Sequence, residues 1–394
     1  MEYGTDSHWL NKERFVTYSR VFFLVYFILA IGVIAHSNLV KADGFPVWFD
    51  FAVFWSASKV TLLGHATDAY NLDKLHAVLH TLHPEINKGS YGWFYPPSYL
   101  LLISQLARVS FLHAYLIFMS ISLAAYALVV RRICTTPQAL WALAGFSGIW
   151  DNLLTGQNGF LTAAIAGGAL LLLDKRPVLA GILAGLLSIK PQLAVLFPVA
   201  FIASGSWKAL IAAACSSVIS ILGASALLGG DTLIAWFQSL DLARVFLEIG
   251  GTNFWMRMPT VFASTHLLGA PKILSYVLHL TVSSAVLVSV WMIWRRCKEP
   301  MLRNAALATG TLLISPYILI YDLTWLALPI AWFGRYAMEW GWQRGEREVL
   351  IAAWFLPAVM LILAHYVTVQ IAPWVILLLL YTIWRRAING HCQR

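Results

Sequence analysis

From Val21 to Ala35 the chain carries no charged residue, and apolar windows of this kind recur to its C-terminal end, separated by short polar punctuation. Basic pairs mark several of the breaks: Arg131-Arg132, Lys175-Arg176, Arg295-Arg296 and Arg385-Arg386. A hydrocarbon core about 30 Å thick is crossed by about 20 apolar residues in a tilted helix. With 60% hydrophobic and 11% charged residues and a mean hydropathy of +0.72, the chain lies far from the roughly 25% charged residues of soluble domains. The pattern predicts an all-α polytopic membrane protein, a bundle of about twelve transmembrane helices formed by one integral-membrane domain over residues 1–394.

The expected spans fall near 20–40, 111–131, 138–150, 159–173, 178–190, 192–204, 207–228, 273–294, 303–316, 321–333, 349–365 and 371–385. The first apolar run follows Lys12, Arg14 and Arg20 and reaches about Val40 without a small-residue cleavage site, so it reads as a retained helix rather than a signal peptide. With the amino terminus inside, 18 of the 27 Lys and Arg residues lie on the inner side, the asymmetry expected of cytoplasmic loops. Both termini are then cytoplasmic. The same asymmetry accounts for the net charge of +9 without nucleic acid as a partner. Two apolar pieces, 95–108 and 259–268, are short for a crossing and read as re-entrant or interfacial elements packed against protein. They close a first outer loop, 41–95, and a second, 229–271.

The polar residues outside the basic anchors gather on the outer side: Asp50, Asp68 and Tyr70, Phe94-Tyr95-Pro96-Pro97, Asp151-Asn152, Gly156-Gln157-Asn158-Gly159, Lys190-Pro191-Gln192, Arg257, Ser315-Pro316-Tyr317, and Tyr321-Asp322. Ionisable groups at membrane depth are costly and mark pathways or sites, so this one-sided cluster points to binding or chemistry there. Bland roles compete at each position. Tyr95-Pro96-Pro97 suits a helix start; Gly156 to Gly159 suits a turn; Lys190 can snorkel; Asp50 and Asp322 can cap helices. His76 and His80 share an i, i+4 spacing in a loop that also holds His65 and His83, but no HExxH pattern accompanies them. The four cysteines show no CxxC spacing, so neither a disulfide framework nor a zinc site is expected.

Taken in order, these motifs resemble the GT-C integral-membrane glycosyltransferases, specifically glycosyltransferase family 87, which includes the mycobacterial phosphatidylinositol-mannoside mannosyltransferases. The carriers are Asp50-Phe51 with Gly64 and Ala69-Tyr70, then Phe94-Tyr95-Pro96-Pro97, Gly156-Gln157-Asn158, Lys190-Pro191-Gln192, Ser315-Pro316 and Tyr321-Asp322. The resemblance implies a GT-C bundle with outer-face interfacial helices, a polyprenyl-phosphate sugar as donor, a lipid or glycan acceptor, and Asp50 as general base. Relatives commonly carry a histidine soon after the proline where this chain has Tyr317. The expected substrate contacts are Lys190, Gln192, Gln157, Asn158, Tyr95, Arg257, Tyr321 and Asp322, with Lys190 foremost and Arg257 next for the departing phosphate. No cofactor is expected, and no metal, since the outer loops hold no DxD-type pair. The expected setting is the bacterial inner membrane with a periplasmic active site. A transporter or lipid flippase is the alternative, and it requires polar residues along a path through the spans, which are nearly all apolar.

Overall fold

The computed structural model describes residues 9–36, 47–82, 91–249 and 251–389, and every regular element among them is helical. The end of the first expected span at 37–40, residues 41–46 and 83–90 of the first outer loop with His83, and the tail from 390 with Cys392 and Arg394 lie outside the described residues.

The helices run between two ends of a bundle. α1 (Lys12–His36) leads to the far end, where α2 (Phe49–Leu63), α3 (Leu72–Leu82) and α4 (Pro97–Ile103) pack; α5 (Phe111–Ile133) returns. A broken pair, α6 (Gln138–Ala144) and α7 (Ser147–Thr155), goes out, and α8 (Gly159–Leu172) comes back. α9 (Pro177–Leu186) ends in a 3-10 turn at Ile189, and after Lys190 a second 3-10 turn leads into α10 (Leu196–Ala203), followed by α11 (Trp207–Leu228). The second outer segment holds α12 (Asp231–Ile249), α13 (Gly251–Trp255) and α14 (Val261–Leu267). Then follow α15 (Lys272–Arg296), α16 (Pro300–Ile314), a 3-10 stretch Ile320–Leu326 continuing as α17 (Ala327–Trp340), α18 (Glu346–Val367) and α19 (Ala372–Asn389).

Five of these helices, α1, α5, α11, α15 and α18, are long and apolar enough to cross a membrane. The other expected spans fall on shorter helices or on two in series, so helix length by itself does not yield twelve. Their shortness is informative. The 14 residues of α8 rise roughly 21 Å at 1.5 Å per residue, and the helix pair around Lys190 is no longer. The short helices stop where the long ones continue. The pieces expected to be re-entrant or interfacial contain α4 and α14, of seven residues each, roughly 10 Å and a third of a crossing.

The two ends differ in chemistry. At the near end, Arg303 Nη2 meets Asp174 at 3.3 Å, Arg335 donates to the Ile133 carbonyl at 2.9 Å, and Arg386 Nε meets Glu346 at 2.6 Å. These bonds join α16 to the turn after α8, α17 to the end of α5, and α19 to the start of α18, so Arg303, Arg335 and Arg386 of the expected inner set lie at one end. Cys297, also at this end, is disulfide-bonded, although spacing alone gave no pairing. A continuous apolar core runs from Phe49 on α2 to Ala387 on α19. Outside it, α11 presents Ile211, Val218, Ile219, Leu222 and Leu227 exposed. Each fully exposed side chain of this size forgoes about 1.5–3 kcal/mol in water, and none of that is lost against lipid.

Close approaches fix the far end. Trp48, in the left-handed region at φ 59°, donates its N–H to the Leu154 carbonyl at 2.7 Å, and Tyr115 donates to the Leu153 carbonyl at 2.7 Å. Gly156 ends α7 at φ +74°, and a Cβ there would lie 2.5 Å from that of Phe51. Gly156→Ala therefore combines left-handed strain with a clash against α2, and a loss of about 1–3 kcal/mol is expected in reversible unfolding of the detergent-solubilised protein. A change below a few tenths would show that α2 does not rest on this turn.

Candidate active site

The break between α9 and α10 is a consequence of Pro191, which has no N–H to continue a helix. It leaves Lys190 in an irregular conformation, φ −141°, ψ 76°. Its ammonium lies 2.5 Å from Asp322 Oδ1 and 4.6 Å from the centre of the Tyr321 ring. The pair is almost dry, with side chains 4% and 1% exposed. Asp322 Oδ2 accepts the N–H of Leu319 at 3.1 Å, so the carboxylate also caps the 3-10 stretch that it opens. The capping reading of Asp322 is thus realised, with an ion pair beside it. Lys190 is neither a snorkelling anchor nor an open anion site, because a carboxylate 132 positions away already neutralises it.

The glycine turn supplies the neutral half of the site. Asn152 Nδ2 donates to the Gln157 carbonyl at 3.1 Å, and Asn152 Oδ1 accepts from Gly159 N–H at 3.1 Å. A Cβ on Gly159 would sit 2.7 Å from the Tyr321 carbonyl, so only glycine lets α8 start this close to Tyr321. Gln157 Oε1 accepts from the Asn158 N–H at 2.8 Å and from the Tyr95 hydroxyl at 3.1 Å. The Asn158 side chain is fully buried and is a hydrogen-bonding neighbour of the Tyr95 and Tyr99 hydroxyls.

Tyr95 is held by its backbone. Its carbonyl accepts from Tyr70 at 2.9 Å, and the neighbouring Phe94 carbonyl accepts from Trp236 of α12 at 3.1 Å. Pro96 and Pro97 do start α4, as their composition suggests. Burial, and then the carboxylates of Asp50 and Asp322, push the Tyr95 phenol above its ordinary value. Asp50 is half-buried in the first turn of α2, and its charge, like that of Asp322, is felt at Tyr95. Asp50, Asp322 and Arg257 all act electrostatically on the Tyr321 hydroxyl. Arg257 is 9% exposed, and the carbonyl of the adjoining Met256 accepts from Gln370 at 2.7 Å. Gln192 is half-buried beyond Lys190, on the one-turn helix Pro191–Leu193. His76 is occupied, with Nε2 2.6 Å from the Tyr91 carbonyl.

Tyr99, Trp236 and Gln370 were missed by the sequence reading, as was a network beside Tyr317. Only Tyr99, two residues beyond Pro97, offered a signal. Glu248 Oε1 accepts from Arg244 at 2.8 Å and from Tyr276 at 2.5 Å, and Oε2 from Lys272 at 2.8 Å. The hydroxyls of Tyr276 and Tyr317 also meet. Tyr317 is thus tied to Glu248 of the second outer segment.

Two outcomes are expected. Removing either charge of the Lys190–Asp322 pair, as Lys190→Ala or Asp322→Ala, strands the other in a dry site at a cost of about 3–5 kcal/mol. The double change Lys190→Met with Asp322→Leu recovers most of it. Singles that unfold like the wild type would remove the pair's structural role. At Glu248, burial raises the carboxyl pKa, but hydrogen bonds from Lys272, Tyr276 and Arg244 outweigh it and hold the group at about 2, below the ordinary 4.5. A depressed carboxyl stabilises the folded state above its unfolded value and loses that contribution as pH falls. The stability gap between wild type and Glu248→Gln should therefore be full near neutrality and shrink between pH 4.5 and 2. A gap constant across that window would contradict the network.

Comparison with known proteins gives a family and no individual relative. No curated protein and no solved structure matches the chain. The family model for glycosyltransferase family 87 matches residues 93–316, which takes in Tyr95, Gln157, Asn158, Lys190, Gln192 and Arg257 and stops short of Asp50 on one side and Tyr321-Asp322 on the other. Because the match spans more than half of the chain, and the far-end cluster surrounds its matched polar residues, the chain belongs to glycosyltransferase family 87 and is a membrane glycosyltransferase.

Proposed function

We propose that this glycosyltransferase moves a hexose, with mannose the first candidate, from a polyprenyl-phosphate sugar to a hydroxyl of a lipid or glycan acceptor. The reaction takes place on the outer face of a bacterial inner membrane, and both termini lie in the cytoplasm. The observation that carries the reading is the family match over residues 93–316, together with Asp50 in the first turn of α2 acting, with Asp322, on the Tyr95 and Tyr321 phenols. Asp322 has both oxygens engaged, by Lys190 and by the Leu319 N–H.

Asp50 is then the general base. The acceptor oxygen attacks the anomeric carbon and its proton passes to Asp50. The bond from that carbon to the phosphate oxygen breaks, and its electron pair leaves with polyprenyl phosphate. One carboxylate suffices for such a single displacement, which inverts the anomeric centre. Stabilising the charge that develops on the leaving group is usually the largest catalytic contribution. We assign that task to Arg257, whose charge acts on the Tyr321 hydroxyl together with Asp50 and Asp322. The departing phosphate carries little charge compared with a nucleotide diphosphate, so the scheme needs no divalent metal. Tyr95, Gln157, Asn158 and Gln192 are the proposed sugar contacts. The donor's prenyl chain lies along the apolar outer surface of the bundle.

The test is release of polyprenyl phosphate from polyprenyl-phosphate mannose by protein reconstituted in lipid, with membrane extract as acceptor. General-base catalysis contributes about 10²–10⁴, so turnover by Asp50→Asn should fall about a hundredfold or more while donor binding is retained. Equal turnover by the two proteins would remove Asp50 from the reaction. Absence of turnover by wild type with every polyprenyl-phosphate sugar would remove the donor class.

A further inference from the structure

We propose that the near end of the bundle, away from the candidate active site, carries a binding site for the phosphate head group of an anionic membrane lipid. A cavity of about 390 Å³ opens there between the turn joining α10 to α11 and the turn joining α15 to α16. Its wall includes Ser204, Gly205, Trp294, Arg295, Lys298 and Arg303. None of these takes part in sugar transfer.

Arg303 is the fixed member. Its guanidinium lies over the Trp294 ring at 5.2 Å, and the Trp294 indole N–H donates to the Arg303 carbonyl at 2.9 Å. Nη2 reaches Asp174 at 3.3 Å, yet Nε is buried without a hydrogen-bond partner. A buried donor left unsatisfied calls for an acceptor, and guanidinium geometry suits phosphate oxygens. Arg295 and Lys298 add two exposed cations. The carboxylates nearby are Asp174, itself 58% exposed, and Glu299, whose Oε1 already accepts the Met301 N–H at 3.1 Å. Three cations against two carboxylates leave a positive balance.

A lipid fits better than a free anion because of what surrounds the mouth. The pocket lies at the ends of α11 and α15, whose outward faces are apolar, with Ile211, Val288 and Trp291 exposed and Trp207 at the level of the turn. Acyl chains run along those faces while the phosphate sits among the cations. Basic pockets between membrane helices on the cytoplasmic side recognise anionic head groups in this way, and tryptophan favours the interface.

The experiment reads binding alone, so it stands or falls apart from the proposed reaction. Protein delipidated in a neutral detergent is titrated with phosphatidylglycerol, with phosphatidylcholine and with inorganic phosphate. Retained lipid is counted by native mass spectrometry, and the unfolding temperature is followed. Wild type should retain phosphatidylglycerol over phosphatidylcholine and be stabilised by it. Arg295→Gln with Lys298→Gln, both exposed positions, should weaken that retention about tenfold without lowering the unfolding temperature of the lipid-free protein. Arg303→Lys should weaken it as well. Equal retention of phosphatidylglycerol by wild type and the double variant would overturn the site. Stabilisation by inorganic phosphate that phosphatidylglycerol does not exceed would overturn the lipid assignment.

Discussion

The buried ion pair between Lys190 and Asp322 holds the far end of this protein together. Each residue sits where its helix has broken, and neither break is favourable alone. A lone charge in such a dry place would cost several kcal/mol to desolvate, whereas a pair at 2.5 Å with the Leu319 N–H on the second carboxylate oxygen gains back what burial takes. The pair thus joins the α9–α10 crossing to the start of α17. It also keeps the Tyr321 ring under the ammonium. Irregular backbone at membrane depth is tolerated where protein surrounds it, and here protein does so from α8, α2 and the loop at Tyr95.

From this constraint the arrangement of the far end follows. Helices that end at the pair are short, and those that pass around it are long. Gly156 and Gly159 let α2 and the Tyr321 turn approach without side chains between them. Tyr70, Trp236 and Gln370 hold the bordering loops through the carbonyls of Tyr95, Phe94 and Met256. The Glu248 network then pins the second outer segment against Tyr317, three residues before the Asp322 cap begins at Ile320.

Much of this was legible in the chain. Apolar windows and arginine pairs located the helices and the basic end, because solvation by lipid or water acts residue by residue. Pro97 and Pro191 marked a helix start and a helix break for equally local reasons. The polar motifs Tyr95, Gln157-Asn158, Lys190 and Tyr321-Asp322 were visible as departures from the apolar background. What was hidden was pairing. Lys190 read as an anion site because its partner lies 132 positions on, and no local pattern announces a contact of that range. The same holds for Glu248, in the second outer loop, whose partners Lys272 and Tyr276 lie at the start of α15. Helix lengths were blurred too, since an apolar window does not reveal that a crossing is built from two short helices meeting at a proline.

The central claim is that Asp50 and Arg257 flank the reacting centre while Lys190 and Asp322 serve each other. An experimental structure with a polyprenyl-phosphate sugar bound would test it most directly. The account predicts the sugar beside Asn158 and Asp50, its phosphate on Arg257, and the Lys190–Asp322 pair unbroken. A phosphate seated on Lys190 with Asp322 displaced, or a sugar remote from Asp50, would contradict it.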